Sequence, residues 1–178
     1  LFDRRVALLA ALLAALSVLS IQLSHFFAVD TFSTFFVTAA LYFMLRVYRE
    51  QYWYLFAGLG LVVGLALASK LSSGLILPLV AIYVVASYIR DRDSAARPAW
   101  TLLLAGLLAA GLVAAFTFRI AQPYAFTGSN LFDFQLAREF LDAINQQRQI
   151  QEGTYDWPPG IQWAGTTPYL FPLKNIVL

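Results

Sequence analysis

Hydrophobic residues fall into five long runs that short polar stretches separate, including RVYREQ, SKLSS and RDRDSAARP. A helix needs about 17–25 apolar residues to cross a hydrocarbon core of about 30 Å. Each run therefore predicts a transmembrane helix, and the third run lies at the lower limit of length. The predicted helices cover approximately residues 6–23, 26–48, 53–69, 72–89 and 99–118.

The stretch after the fifth run has a different pattern. In residues 132–148, Phe134, Ala137, Leu141 and Ile144 recur at helical spacing, with charged residues on the other faces. This pattern predicts an amphipathic helix on or near the membrane surface. The segment EGTYDWPPGIQWAGTTPYLFP follows, and its Pro, Gly, Trp and Tyr residues indicate an ordered loop with aromatic anchors at the headgroup level.

The composition also indicates a membrane protein. Of the 178 residues, 60% are hydrophobic and 12% are charged, whereas soluble domains have about 25% charged residues. The net charge of +2 is too small to indicate a nucleic-acid partner, and without cysteine there is no disulfide and no cysteine metal site. The predicted fold class is an all-α polytopic membrane protein, with a transmembrane helical bundle over residues 1–118 and an external loop over residues 119–178.

Positive charges in the connections indicate the orientation. Basic residues in short loops are typical of the cytoplasmic side. Because successive helices cross the membrane in alternating directions, seven arginines come to one side. They are Arg4, Arg5, Arg46, Arg49, Arg90, Arg92 and Arg97. His25, Asp30, Lys70 and residues 119–178 then face the external side.

The two ends of the chain indicate that it is part of a longer sequence. The chain begins at Leu1 and stops at LKNIVL, where another apolar segment begins. Arg4 and Arg5 before an apolar run resemble a signal peptide, but equally apolar runs follow, which favours a transmembrane helix. We expect the chain to be an internal piece of a larger membrane protein.

Asp30 is the candidate catalytic residue. On a helix it shares one face with Thr34 and Thr38, with Ser33 beside them. This polar stripe predicts that the carboxylate points into the bundle or a water-filled cavity, where it binds a metal, orients a substrate hydroxyl or supports a base. The alternative is a structural acid at the positive end of the helix dipole.

Three further ionisable residues reach the same predicted face. Lys70 in SKLSSG and Arg119 in FTFRIAQPYAF are candidates for binding a phosphate. The alternatives are a snorkelling lysine and an interfacial arginine. His25 is the one histidine in the chain, so it is a candidate for hydrogen bonding to a substrate rather than for a zinc site.

The aromatic segment contains a possible sugar site. Asp156, Gln162 and Trp163 combine a carboxylate, an amide and an aromatic plane, the groups that bind sugar hydroxyls and stack on pyranose faces. Turn formation explains the Asp, Pro and Gly residues of this segment equally well.

The runs HFFAVDTFSTFFVTAALYFML and GLGLVVGLALASKLSSGLILPLV resemble the middle membrane helices of glycosyltransferases of the C superfamily. More narrowly, they resemble the bacterial dolichyl-phosphate-mannose–protein mannosyltransferase-like branch. The segments RIAQPYAF and DWPPGIQWAGTTPYLFPLKN are similar to the external loop of large bacterial members. The first of these segments adds Gln122 and Tyr124 to the candidate substrate-binding residues.

The resemblance implies an inverting enzyme of the bacterial plasma membrane that uses a polyprenyl-phosphate sugar, with a divalent metal (Mg or Mn) nearby. It also implies a catalytic aspartate in a first external loop, which should precede Leu1. We therefore expect this piece alone to be inactive. Asp30 matches a second family acid, and Lys70 matches a basic residue near the lipid phosphate.

Two other functions are compatible with the sequence. A non-catalytic subunit or scaffold, bound to other membrane proteins, predicts that residues 155–171 pack against another chain and that no cavity lies near Asp30. A transporter normally has charged or broken helices near the bilayer midplane, whereas Pro78 is the one obvious interruption here. The enzyme hypothesis predicts an external cavity lined by Asp30, Lys70 and Arg119.

Overall fold

The computed structural model describes residues 3–91, 99–152, 154–155 and 174. The described residues form α-helices, together with short 3-10 helices at Leu71–Leu75 and Pro123–Ala125. The α-helices are α1 (Arg4–Ala15), α2 (Val18–His25), α3 (Val29–Glu50), α4 (Trp53–Ser69), α5 (Ile76–Arg90), α6 (Trp100–Ala121) and α7 (Arg138–Glu152). The chain divides into two compact units, Leu1–Pro123 with α1 to α6 and Tyr124–Leu178 with α7.

Among the described residues, three helical segments of the first unit are long and apolar enough to cross a membrane. They are Val29–Glu50, Trp100–Ala121 and Leu71–Arg90, the last of which joins a 3-10 turn to α5. α4 is a shorter apolar helix, and the bent pair of α1 and α2 provides a fourth span if the two are counted together. The predicted all-α membrane fold is confirmed.

The predicted helix over residues 6–23 is divided into α1 and α2, which are bent by 54° relative to each other. The break lies at Ser17, whose backbone is extended, with φ −64° and ψ 120°. An extended residue interrupts the helical hydrogen-bond ladder, and serine is favoured directly before a helix. Neither of the two helices contains a buried residue.

α4 is central to the helix packing of the first unit, since it contacts both α3 and α6. Phe43 of α3 lies over Gly58 of α4, and Phe56 of α4 lies over Gly106 of α6. Leu55, at the start of α4, is only 1% exposed. α4 therefore determines the positions of α3 and α6.

Two glycines of α4 allow a close approach to α6. A Cβ atom at Gly60 would lie 2.3 Å from the carbonyl oxygen of Ala110, and one at Gly64 would lie 2.6 Å from that of Ala114. Small residues let helix backbones meet in a membrane. The contacts advance in the same direction along both helices, so α4 and α6 run parallel, and residue 119 lies at the level of residue 69.

Two hydrogen bonds connect α3 to the span that contains α5. Near the start of α3, the hydroxyl oxygens of Ser33 and Ser73 lie 2.7 Å apart, and both side chains are buried. Near its end, Tyr48 donates its hydroxyl to the carbonyl oxygen of Ser87 at 2.8 Å. Because buried polar groups need partners, the two bonds fix the register of these segments.

The amphipathic helix of the second unit begins later than the sequence pattern predicts. The prediction covers residues 132–148, whereas α7 covers Arg138–Glu152. The side chains of Asn130 and Asp133 each accept a hydrogen bond from the backbone N–H two residues further on, at 3.1 and 3.0 Å. Such local bonds compete with helix formation, which explains the later start.

Phe134 therefore lies outside the helix to which the pattern assigned it. Its ring meets that of Phe126 edge-on, with centroids 6.0 Å apart. An isolated antiparallel bridge joins Phe126 to Leu136 and brings the chain back on itself before α7. Leu141 of α7 remains 42% exposed. The location of this helix at a membrane surface stays a prediction.

Gly60→Ala is expected to lower the free energy of unfolding by roughly 1–3 kcal/mol, because the added methyl group overpacks the contact with the α6 backbone. The measurement is a denaturant titration of the full-length protein in mixed micelles. Gly111→Ala is the matched control, since a Cβ at Gly111 meets nothing within 4 Å. Equal losses in the two variants would contradict the close packing.

Ser33→Ala is expected to cost about 1–3 kcal/mol of unfolding free energy, because it leaves the buried Ser73 hydroxyl without its partner. The double variant Ser33→Ala/Ser73→Ala removes both hydroxyls and should cost less than the two single changes together. The same titration measures all three variants. Strictly additive losses would show that the two hydroxyls do not depend on each other.

Candidate active site

Asp30 and Lys70 form an ion pair where α3 begins and α4 ends. Lys70 Nζ lies 2.5 Å from Asp30 Oδ1. The antiparallel arrangement of α3 and α4 brings these residues together from positions 40 apart in the chain. The sequence predicts that both lie at the same membrane face, and the structure places them in contact.

Local structure explains the position of each charge. Asp30 lies in the first turn of α3, whose cap residue Ala28 makes no side-chain hydrogen bond. Lys70 directly follows α4, and its extended backbone (φ −155°, ψ 118°) leads the chain into the 3-10 turn. The helix dipoles favour an acid at the start of α3 and a base at the end of α4. The positions of Asp30 and Lys70 are thus compatible with the structural alternative for Asp30 as well as with a catalytic role, and both stay predictions.

A second contact, between Ser33 and Ser73, lies next to the ion pair on the side towards the interior of α3. Asp30 and Ser33 are one turn apart on α3 and share a face. Lys70 directly precedes the 3-10 segment, and its carbonyl oxygen accepts a hydrogen bond from the backbone N–H of Ser73 at 2.9 Å, so the two residues lie one turn apart. The buried Ser33–Ser73 hydrogen bond therefore supports the Asp30–Lys70 pair from beneath.

The ion pair itself is partly open, since 45% of the Asp30 side chain and 47% of the Lys70 side chain remain exposed. An exposed ion pair contributes about 0.2–1 kcal/mol. The pair therefore orients the two side chains without holding them permanently, and both charges remain accessible to a ligand.

An open groove of about 390 Å³ begins at the ion pair. Its polar end is formed by the two charged residues and by hydroxyl groups of α3 and the 3-10 turn. The hydroxyl residues are Ser33, Thr34, Thr38, Ser72 and Ser73, and the apolar residues are Val37, Leu75, Ile76 and Leu79. The groove is thus charged near the helix ends, and further in its described lining consists of apolar side chains together with Thr34 and Thr38.

The sequence identifies only part of this lining. The stripe of Asp30, Thr34 and Thr38 with Ser33 beside it lines the groove as the helical spacing predicts. Ser72 and Ser73 were missed, because periodicity of an α-helix does not describe a 3-10 turn. The signal that could have found them is the pair of serines directly after the lysine in SKLSSG.

Arg119 lies at the same end of the bundle, in the last turn of α6. The parallel packing of α4 and α6 places it at the level of Ser69. Its side chain is only 3% exposed, and it is absent from the described lining of the groove. Two of the three residues predicted to line one cavity do so, and the phosphate-binding role of Arg119 stays a prediction.

The remaining candidates lie at other positions. His25, at the end of α2, borders a separate hollow of about 500 Å³ between residues of α1 and α2. Gln122 follows α6 and donates its backbone N–H to Phe118 at 2.8 Å. Tyr124 belongs to the second unit and is 89% exposed. Their assignment to the substrate site stays a prediction.

Several predicted features lie outside the described residues. They are Asp156, Gln162 and Trp163 of the possible sugar site, Arg92 and Arg97 of the arginine side, and most of the aromatic segment 155–171.

A divalent metal requires several oxygen or nitrogen ligands. Over residues 3–91, 99–152, 154–155 and 174, no group of three or more His, Cys, Asp or Glu side chains is placed to hold one. Asp30 is the one acidic residue in the described lining of the groove. These residues by themselves do not fit the metal that the resemblance implies.

The opposite end of the bundle carries arginines. Arg46 of α3 pairs with Glu50 one turn further on and donates to the Tyr42 hydroxyl at 2.8 Å. Arg90 donates to the Asp91 carboxylate at 3.0 Å, and this hydrogen bond lowers the pKa of Asp91 below its ordinary value. Arg46 and Arg90 thus lie at the end of the bundle away from the groove, and the external location of the groove stays a prediction.

Comparison with known proteins agrees with the resemblance seen in the sequence. The family model for dolichyl-phosphate-mannose-protein mannosyltransferases matches residues 1–118, which include the ion pair and the described lining of the groove. No curated protein and no solved structure matches the chain. Because the family model covers more than half of the chain, the chain belongs to the dolichyl-phosphate-mannose-protein mannosyltransferase family of membrane glycosyltransferases.

Proposed function

We propose that the full-length protein transfers a sugar from a polyprenyl-phosphate donor to an acceptor hydroxyl at the external face of a bacterial plasma membrane. The observation that carries this proposal is the groove, whose described lining has one cation, one carboxylate and serine hydroxyls near the helix ends, and apolar side chains together with Thr34 and Thr38 further in. This gradient suits an amphiphile with a charged sugar-phosphate head and a hydrocarbon tail.

Lys70 is the proposed ligand of the donor phosphate. An ammonium group is a compact charge with three hydrogen-bond donors on a flexible stem, and this one lies at the polar end of the groove. The prenyl chain would extend along Val37, Leu75 and Leu79 towards the hydrocarbon. The hydroxyl groups beside Lys70 are available to bind sugar hydroxyls.

Asp30 is the proposed proton acceptor. The acceptor oxygen attacks the anomeric carbon while the bond between that carbon and the phosphate oxygen breaks. The acceptor proton passes to the Asp30 carboxylate. The polyprenyl phosphate leaves with the bonding electrons, and Lys70 stabilises its negative charge. Attack opposite the leaving phosphate inverts the anomeric configuration.

The family resemblance implies a further catalytic aspartate in a first external loop. Asp30 would then work beside that residue rather than replace it. Tests of this mechanism therefore require the full-length protein.

The groove supports the enzyme over the two alternatives. A scaffold predicts no cavity near Asp30, and a groove begins at this residue. A transporter normally places ionisable groups near the midplane. In the described spans, the charged residues lie near the helix ends, as Asp30 and Arg119 show.

Asp30→Asn is expected to lower sugar transfer by roughly 10²-fold or more, because the amide cannot accept the acceptor proton. Transfer from polyprenyl-phosphate mannose is measured with the protein in lipid nanodiscs. Glu50→Gln is the matched control, since it removes the acid of an ion pair at the opposite end of the bundle and should leave transfer unchanged. Unchanged transfer by a folded Asp30→Asn variant would remove Asp30 from the mechanism.

Lys70→Gln is expected to weaken saturable binding of the same donor by roughly tenfold, because a charge-assisted hydrogen bond to the phosphate is lost. Binding is measured in nanodiscs by titration with labelled donor. Arg90→Gln removes a positive charge from the opposite end and serves as the control. If the folded wild-type protein binds no donor, the scaffold becomes the better hypothesis.

A further inference from the structure

In the proposed site, two anions would compete for one cation: the Asp30 carboxylate and the donor phosphate both require the Lys70 ammonium group. Lys70 is the one cation and Asp30 the one anion in the described lining of the groove. The ammonium nitrogen already lies 2.5 Å from a carboxylate oxygen of Asp30. A donor phosphate that binds Lys70 therefore reaches a cation that the neighbouring acid already occupies.

The geometry allows the two anions to exchange. Nearly half of each side chain is exposed, so a phosphate can approach the ammonium group without first opening a buried contact. The free energy that holds such a pair is small. Two anions close to one cation repel each other, so the phosphate and the carboxylate cannot share Lys70 without loss of affinity.

The backbone around the pair need not move during this exchange. The Ser33–Ser73 hydrogen bond is buried and lies one turn below the pair, so it continues to hold α3 against the 3-10 turn. The lysine stem has freely rotating bonds. Rotation of two side chains is sufficient to separate the charges.

We propose that Asp30 acts as an internal substitute for the donor phosphate: in the unliganded protein its carboxylate occupies Lys70, and donor binding displaces it. The displaced carboxylate is then available to the acceptor hydroxyl. The donor must bind before the acceptor can be activated, which imposes an order on the two substrates. This inference rests on the proposed function, because it requires a phosphate-bearing donor at Lys70.

An Asp30 that competes with the phosphate and an Asp30 that only positions Lys70 predict different effects of the same substitution on binding and on transfer. If Asp30 only positions Lys70, removing its charge should weaken phosphate binding or leave it unchanged. If Asp30 competes with the phosphate, the same change should strengthen binding while transfer is lost.

The test measures the affinity of full-length protein in nanodiscs of zwitterionic lipid for labelled polyprenyl phosphate. This probe has no sugar, so sugar contacts do not affect the result. We expect Asp30→Asn to bind it roughly three- to fivefold more tightly than the wild type. We expect Lys70→Gln to bind it more weakly, and Asp30→Asn to have no strengthening effect when Lys70→Gln is also present. Glu50→Gln, the control at the other end, should bind like the wild type.

The outcomes are distinct. Equal or weaker binding by Asp30→Asn, with normal binding by the wild type, overturns the inference and leaves the proposed function intact. Tighter binding that persists in the Asp30→Asn/Lys70→Gln double variant also overturns it, because the competition would not take place at Lys70. Absence of binding by the folded wild type overturns both the proposed function and the inference.

Inorganic phosphate and phosphatidic acid distinguish the donor from other sources of phosphate. We expect unlabelled polyprenyl phosphate to displace the probe, and neither of the other two to do so at equal concentration. Equally effective displacement by either one would overturn the assignment of the groove to a prenyl-linked donor.

Discussion

Hydrocarbon offers no hydrogen-bond partners, and this constraint determines where chemistry lies in the first unit. Backbone groups inside the membrane must be bonded within a helix, and within α3 to α6 irregular backbone is confined to the helix ends. Hydroxyls on the helices also bond to carbonyl oxygens of their own helix, as Thr38 does to Thr34 and Ser69 does to Leu65, each at 2.8 Å. The polar groove therefore forms where α4 gives way to the 3-10 turn.

The depth of the site follows from the packing of α4. This helix has 17 residues, and Gly60 and Gly64 let it approach α6 more closely than residues with side chains would allow. Van der Waals contact of this kind drives helix association in lipid. Since α4 and α6 run parallel in this contact, the ends that carry Lys70 and Arg119 reach the same level. The helix interface thus determines which charges gather at one membrane face.

The sequence predicts those parts of the structure that depend on local properties. Hydrophobic run length locates α3 to α6, and alternating direction explains why Asp30 and Lys70 share a face. The bend at Ser17 was not predicted, because neither proline nor glycine marks it. The start of α7 was misplaced because the turn before it depends on side-chain hydrogen bonds of Asn130 and Asp133, which hydrophobic spacing does not register.

The contacts that make the site are non-local, and for this reason the sequence located its residues without predicting their pairing. Both the Asp30–Lys70 and the Ser33–Ser73 contacts join residues 40 positions apart. A single register of α3 against the 3-10 turn therefore produces both contacts. The ion pair and the serine pair are two successive levels of one interface, with the ion pair nearer the helix ends.

The two levels differ in how firmly they are held. The serine pair is buried, so breaking it leaves polar atoms without partners and carries the full cost of desolvation. The charged pair above is half exposed, where water compensates for its loss and little free energy holds it together. A firm contact below a weak one lets the backbone stay in place while the side chains change partner. This is the arrangement that a site needs when one of its own groups must give way to a charged ligand.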